Sequence, residues 1–480
     1  MTDNASPHSP HDGPRGFHRS LSNLGVIILT LSVLSPGVSV LVSGSAIVQD
    51  AGTGVVIAFL LGGLVCYCQT SMAAELGAAY PTAGYDYAAL GHAMGDGAGA
   101  TAYLASILAA PVFLSTSAKG IAIYLAPFGI PLSANGITLV TVGVVATLAM
   151  LNIRANESIT GIFMAIEFSA LLLIAAVGAM HARHDAVQSM LHPMHMKDGL
   201  WLAAGIGVVG IAVNNASWVL AGASQALMFS EDMKHPRAIG RIIMIAFGLT
   251  ILSETAPVLG LVAGAHDLKS VLASSSPFET FLAAYLPESV LRFVSLSIAV
   301  AIFNASLAGF VGLGRNVFAM GRTQLFPAPV NRALTRLTRR TDAPWVAILL
   351  LAAGTAAATW LPLSAQVLLL SGNYTILTVF YVLGVVAGRR SGRTGTHDYK
   401  TPWYPLIPLL GAIIVVGEVV VLWLDAESGR KSLFFCSAMW ALSYAYYRLV
   451  LVRRPGGWRM TGPSDIDAMT SRGEGGRVGG

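Results

Sequence analysis

Residues 29–48 read LTLSVLSPGVSVLVSGSAIV. The stretch is apolar enough to lie in a lipid bilayer, yet Ser35-Pro36-Gly37 interrupts it near the middle. Proline has no N–H and clashes with the carbonyl one turn earlier, so a helix breaks there. Bilayer hydrocarbon offers no partners to the freed backbone groups, so such a break persists only inside protein or beside a wet cavity. Broken helices of this kind aim an amide-rich N-terminus at an anion and unwound carbonyls at a cation or ammonium. Ser35, Pro36, Gly37, Val38 and Ser39 are therefore candidate substrate-binding residues.

The rest of the chain fits a membrane setting. Of 480 residues, 54% are hydrophobic and 11% charged, against roughly 25% charged in soluble domains. The apolar segments are long enough for helices rather than barrel strands, which predicts an all-α integral membrane protein. The 51 glycines suit closely packed membrane helices. Cys66, Cys68 and Cys436 all lie in apolar segments and read as small buried hydrophobes, not as a metal site or disulfide.

Hydropathy predicts about twelve spans, near 23–48, 54–78, 97–126, 134–152, 156–180, 200–229, 240–264, 289–316, 343–361, 364–388, 403–424 and 431–452. With a cytoplasmic N-terminus, 22 of the 29 Lys and Arg residues fall inside and 6 outside, with Lys119 in a span. A missed helix would invert that bias downstream of it. The positive-inside rule thus supports twelve spans with both termini in the cytoplasm of a plasma-membrane protein. It also explains the net charge of +5 without nucleic acid. The polar segments 1–20 and 453–480 read as disordered cytoplasmic tails. No P-loop is present, so no ATPase subunit is implied.

If the fold is an inverted repeat, a second break is expected in the sixth span. That span carries Asn214, Asn215, Ser217, Trp218, Gly222, Ser224 and Gln225 near its middle, odd residues for a lipid-facing helix. Asn214, Asn215, Ser217, Trp218 and Gly222 join the candidate substrate-binding set. The alternative is a helix packed through small and amide residues.

Three further stretches carry a resemblance. They are MAAELGAAYPTAGYDYAALGHAMG (72–95), SEDMKHPRAIGRII (230–243) and GRNVFAMGRTQLFP (314–327). In order and spacing they resemble the amino acid–polyamine–organocation (APC) superfamily over about ten spans. The resemblance implies two inverted five-helix repeats, here 21–181 and 182–390, plus helices 11 and 12 at 391–452. It also implies substrate binding at broken helices 1 and 6. Trp218, four residues before Gly222, falls where the arginine–agmatine antiporter branch has an aromatic covering the substrate. Ser224 stands where many members carry glutamate, so that acid's proton-sensing role does not carry over. Some members use a fifth-helix lysine to carry the coupled proton, and this span has none.

Charges at membrane depth are costly and mark functional candidates. Glu167, halfway along the fifth span, is the proton-coupling candidate, the alternative being a structural carboxylate. Asn304 and Ser306 are a possible cation site. Trp218 and Tyr374 are gate candidates, and the acids Glu75 and Asp86 with Lys234 and Arg237 would form an inner gate. Lys119, Glu254 and Glu418 are weaker cases. His181, His184, His192 and His195 have metal-like spacings, but no zinc signature matches and no metal is expected.

The expected function is secondary active transport of an amino acid, neutral by its uncharged pocket segments, by alternating access. The proton is the expected coupling ion, with sodium left open, and no cofactor is implied. The expected partners are that small-molecule substrate and membrane lipid; the oligomeric state is not legible. Amine exchange and polyamine transport are the alternatives, and a sensor without net transport is a third. No HExxH or GxSxG site lies at membrane depth, which argues against an enzyme.

Overall fold

The computed structural model describes residues 19–125, 131–151, 153–197, 199–274, 276–424, 426, 429–455, 457–462 and 465. Residues 1–18 and most of the segment after 455, expected as tails, lie outside the described residues. The principal helices are α1 (Asn23–Leu34), α2 (Val55–Ala79), α3 (Tyr85–Met94), α4 (Asp96–Leu125), α5 (Ala134–Ala149) and α6 (Ile153–Met180). They continue with α7 (Ile206–Val219), α8 (Ile239–Gly264), α9 (Glu288–Arg322), α10 (Trp345–Ala358), α11 (Leu363–Arg390), α12 (Leu406–Leu424) and α13 (Gly429–Tyr446). A short antiparallel hairpin, β1 (Met194–Lys197) with β2 (Leu200–Ala203), precedes α7.

Among the described residues, seven helical runs are long and apolar enough to cross a membrane. Their packing is that of a protein solvated by lipid. Leu172, Leu252 and Leu442 are 70%, 68% and 71% exposed on mid-helix surfaces, while Glu75, Glu167, Glu231 and Glu254 are buried. Large apolar side chains outside and carboxylates inside is the arrangement hydrocarbon demands.

Small residues set the helix spacing. A Cβ at Gly264 of α8 would meet Gly178 Cα of α6 at 2.7 Å, so these two helices touch backbone to backbone. Close approach of this kind replaces the hydrophobic drive that lipid cannot supply. Pro111 interrupts the hydrogen bonding of α4, and its ring packs where a Cβ at Gly354 of α10 would lie.

The first helix breaks where its sequence says it must. Ser22 caps α1 by accepting from Gly25 N–H. Ser35 ends it in the left-handed region at φ 47°, and its N–H closes on Leu31 O. The chain then re-enters helical geometry over residues 36–51, with a π-helical middle at Ser39–Gly44. The second break falls between α7 and the 3-10 helix Ala223–Asp232, at Gly222 with φ 118°. The polar cluster therefore divides: Asn214, Asn215, Ser217 and Trp218 remain helical on α7, and the unwound residues are Leu220–Gly222. Glycine, free of the Cβ penalty, does at the second break what proline does at the first.

At one end of the bundle the chain start is pinned. Ser20 and Leu21 N–H donate to Asp232 O at 2.8 Å each, and Lys234 N–H donates to Leu21 O at 3.0 Å. We call this the terminal end. The hairpin and the 36–51 run reach the far end.

Candidate functional site

A cavity of about 490 Å³ opens from the two breaks. It is bounded by Ser35, Val38 and Ser39 from the first break and by Asn215, Trp218, Gly222 and Ser224 from the second. Its walls run through residues 38–47, residues 106–120 of α4 and residues 363–377 of α11. Each of those stretches leads from mid-bundle to the far end, so the cavity faces that end. The volume suits a small molecule with room for water.

The lining is mostly aliphatic and aromatic, with hydroxyls and amides at intervals. Among the described residues, no Asp, Glu, Lys, Arg or His side chain lines the cavity. Polar groups include those of Gln69, Thr70, Tyr85, Asn215, Gln225 and Tyr374 in addition to the serines. Sequence reasoning placed Gln225 in the polar cluster of the sixth span but missed Gln69 and Tyr85. An amide opening the polar run Gln69-Thr70-Ser71 within a span-length apolar helix was the available signal for Gln69. Its amide donates to Thr378 Oγ1 at 2.9 Å and its carbonyl accepts from the Tyr374 hydroxyl. Tyr374 is thus tied to α2 while facing the cavity.

The other sequence-selected residues fall in three places. Pro36 and Gly37 belong to the break but turn away from the cavity, towards α6 and α9. Ser217 is buried and donates to Asn214 O at 2.8 Å, so both act within α7. Asn304 and Ser306 are buried on α9 with no side-chain partner among the described residues. Two residues apart on a helix, they point to different faces.

Glu167 lies directly behind the first break. Its Oε1 accepts Gly37 N–H at 2.6 Å and the Ser35 hydroxyl at 2.9 Å, while Oε2 has no partner among the described residues. A Cβ on Gly37 would meet Glu167 Cγ at 2.8 Å, so only glycine lets the carboxyl come this close. Ser35 Oγ also lies 3.3 Å from Ala301 O of α9, linking three helices at the break. Glu254 of α8 stands beside Ser39, within electrostatic reach of Glu167. It is fully buried, and neither of its oxygens meets hydrogen-bond geometry.

Beneath the cavity the terminal end is shut. Tyr85 and Ser224 hydroxyls meet at 2.9 Å, and the Tyr381 hydroxyl donates to Asp86. Burial pushes the Asp86 carboxyl up to about 7 against the tyrosine hydrogen bonds that lower it. Lys234 and Arg237, expected as its partners, are exposed in this conformation. The ion pairs form elsewhere. Arg322 forks onto both oxygens of Glu231 at 2.7 and 2.6 Å, and Ala83 N–H adds a third donor at 2.7 Å. Arg315 reaches Asp232 at 2.7 Å. Arg389 forks onto Glu75 at 2.7 and 2.9 Å, with Thr394 and Thr401 completing that carboxylate. Between the motif stretches, Arg322 thus finds Glu231 and Arg315 finds Asp232, whereas the partner of Glu75 lies on α11 and that of Asp86 is Tyr381.

The histidines of the far-end loop do not converge. His181 stacks on Tyr285 at 4.1 Å, and His184 takes Ala265 O at 3.0 Å. Among the described residues no group of three or more His, Cys, Asp or Glu is placed to hold a metal.

A bundle of lipid-solvated helices, twice broken around a cavity closed at one end, defines a membrane permease. The chain belongs to the amino acid permease family, whose sequence model matches residues 21–443. The branched-chain amino acid permease BcaP of Lactococcus lactis is 25% identical over 456 residues, covering 88% of this chain and 94% of that protein. Uncharacterized transporters of Mycobacterium tuberculosis and Mycobacterium bovis are 23% identical over 325 residues, covering 67% of this chain and 70% of theirs. The protein is accordingly a multi-pass membrane transporter of amino acids and not an enzyme.

Proposed function

We propose that this protein is a proton-coupled symporter of neutral, apolar amino acids, with branched-chain substrates foremost. The observation that carries the substrate class is the cavity lining. It offers aliphatic and aromatic surface and no charged side chain, so an acidic or basic substrate side chain would be desolvated without a partner there. The likeness to a branched-chain amino acid permease points the same way.

In this reading twelve spans form two inverted five-helix repeats, 21–181 and 182–390, followed by two more helices, with both tails cytoplasmic in the plasma membrane. The terminal end is then the inner gate and the cavity faces outside. The substrate's carboxylate meets the first break at Ser35–Ser39, its ammonium meets the carbonyls freed around Gly222, and Trp218 closes over it. Glu167 carries the proton, because its buried carboxyl is hydrogen-bonded to the backbone of the first break. Sodium is the competing coupling ion, with Asn304, three residues along α9 from the Ala301 carbonyl that Ser35 approaches, as its candidate ligand.

The test is uptake into liposomes of purified protein, across a panel of labelled amino acids and amines, with and without an inward proton gradient. Gradient-driven accumulation of leucine, isoleucine or valine supports the reading. Flux only against an internal amine makes the protein an exchanger. Binding without flux makes it a sensor.

A further inference from the structure

Proton coupling needs a physical link between substrate and proton, and the first break contains one. Pro36 has no N–H, and the Ser39 N–H turns back to Ser35 O at 3.0 Å. Gly37 and Val38 are then the amides that a helix start leaves for outside acceptors. The Gly37 amide is already taken, by Glu167 at 2.6 Å. Ser35 and Val38, on either side of Gly37, line the cavity, whereas Glu167 does not. The cavity therefore reaches the residues on either side of Gly37, while the amide itself is turned to the protein's own carboxylate, which a substrate carboxylate would have to displace.

We propose that the substrate carboxylate and the Glu167 carboxylate compete for the Gly37 amide, so that each amino acid bound drives one proton onto Glu167. This rests on the assignment of Glu167 as proton carrier and adds how substrate controls it. When substrate arrives, Glu167 loses its charge-assisted hydrogen bond and gains an anion as neighbour. A buried carboxylate in that position is not tolerated as an ion. One proton from water in the cavity bonds to the carboxyl group, and no other bond changes. Oε2, buried and without a partner among the described residues, is the oxygen open to it.

The surroundings supply no alternative counter-charge. The groups on Glu167 from the first break and α9 are the Gly37 amide and the Ser35 hydroxyl, itself shared with Ala301 O. From α8 the facing ionisable group is Glu254, which adds only further negative charge when ionised. Linkage is reciprocal: if substrate drives a proton on, protons strengthen substrate binding by the same factor.

The experiment is calorimetric titration of purified full-length protein with L-leucine, from about pH 5 to pH 9, in buffers of differing ionisation enthalpy to count protons. The wild-type protein is expected to take up one proton per leucine at the alkaline end, with affinity falling up to tenfold per pH unit there. Glu167→Gln offers the amide only a neutral, weaker competitor. It is expected to take up no proton, to bind with pH-independent affinity, and to bind more tightly than wild type at alkaline pH. Undiminished proton uptake in Glu167→Gln overturns Glu167 as the proton carrier. Lost proton uptake with alkaline affinity no better than wild type overturns the competition alone. Wild-type binding without proton uptake across the whole range overturns the proposal with no variant needed. Failure to bind leucine at all overturns the substrate assignment on which the titration depends.

Discussion

Two sets of buried carboxylates, one at the terminal end and one at mid-bundle, are held in opposite ways. At the terminal end Glu75 and Glu231 each accept from a forked arginine and from backbone or hydroxyl donors besides. At mid-bundle, around the breaks, Glu254, Asn304 and one oxygen of Glu167 lack partners among the described residues. A satisfied network fixes one geometry, while an unsatisfied one holds capacity for a ligand, a proton or a second conformation. The first region is a lock in the state it now occupies. The second is where the next state is chosen.

That contrast is most strongly broken at the lock. Glu231→Ala leaves Arg322 buried and uncompensated, 1% exposed at its side chain, at a cost of about 3–5 kcal/mol. The expected outcome is a large fall in thermal midpoint in detergent, or loss of folded protein. Replacing Glu231 and Arg322 together by Leu and Met should recover most of the loss, since no buried charge remains. A midpoint unchanged by Glu231→Ala would mean that the pair is not a structural lock.

The cavity side should respond in affinity rather than stability. Trp218 is partly exposed and lines the cavity. Covering a substrate with an aromatic of this size is worth about 1.5–3 kcal/mol, which converts to a loss of roughly 10- to 100-fold in Trp218→Ala. Equilibrium binding of leucine reads this out, with the thermal midpoint of the empty protein as control. Unaltered affinity would remove Trp218 from the site.

Gly222→Ala probes the hinge between the two regions. The residue sits at φ 118°, and an added Cβ would meet Leu34 Cδ2, at the end of α1, at 2.6 Å. A non-glycine residue there costs on the order of 1–3 kcal/mol in backbone strain. Part of the cost should appear as slower transport, because the same backbone couples α7 to the first break. Wild-type rates and stability in Gly222→Ala would show that the second break tolerates a side chain.

How much of this was legible depended on whether the signal was local. The first break is written in Ser35-Pro36-Gly37, because proline's missing N–H acts within its own turn. Glu167 stood out because an acid at membrane depth is costly anywhere in a fold. The second break was expected from Asn214 to Gly222 but only Leu220–Gly222 unwind, since amides can pack along an intact helix. Asp86 was matched to Lys234 and Arg237 by proximity of loops, whereas its partner in this structure is Tyr381, 295 residues away. The lock was visible as three charged motifs, yet which arginine meets which acid is set by helix rotation, and no spacing in the sequence encodes that.

The smallest expected effect lies between the two regions, at Asp86. It belongs to α3, directly beneath the cavity floor, and faces Tyr381 and Tyr85. Its carboxyl is pushed up from 3.8 to about 7 by burial, so the folded protein holds a proton that the unfolded chain releases at lower pH. The sign follows from linkage. The contribution is complete below pH 3.8 and is lost as pH rises through about 7. Between about pH 6 and pH 8 the loss amounts to about 1 kcal/mol, the native carboxyl being on average half protonated across that interval. Thermal midpoints should therefore fall modestly across that interval in wild type and less in Asp86→Asn, whose amide cannot ionise. Glu231→Ala should shift the midpoint at both pH values without altering the difference between them, because Arg322 does not touch Asp86. An Asp86→Asn protein with the wild-type pH slope would place the titrating group elsewhere. Asp86 would then join Glu75 and Glu231 as part of the lock rather than stand between the lock and the cavity.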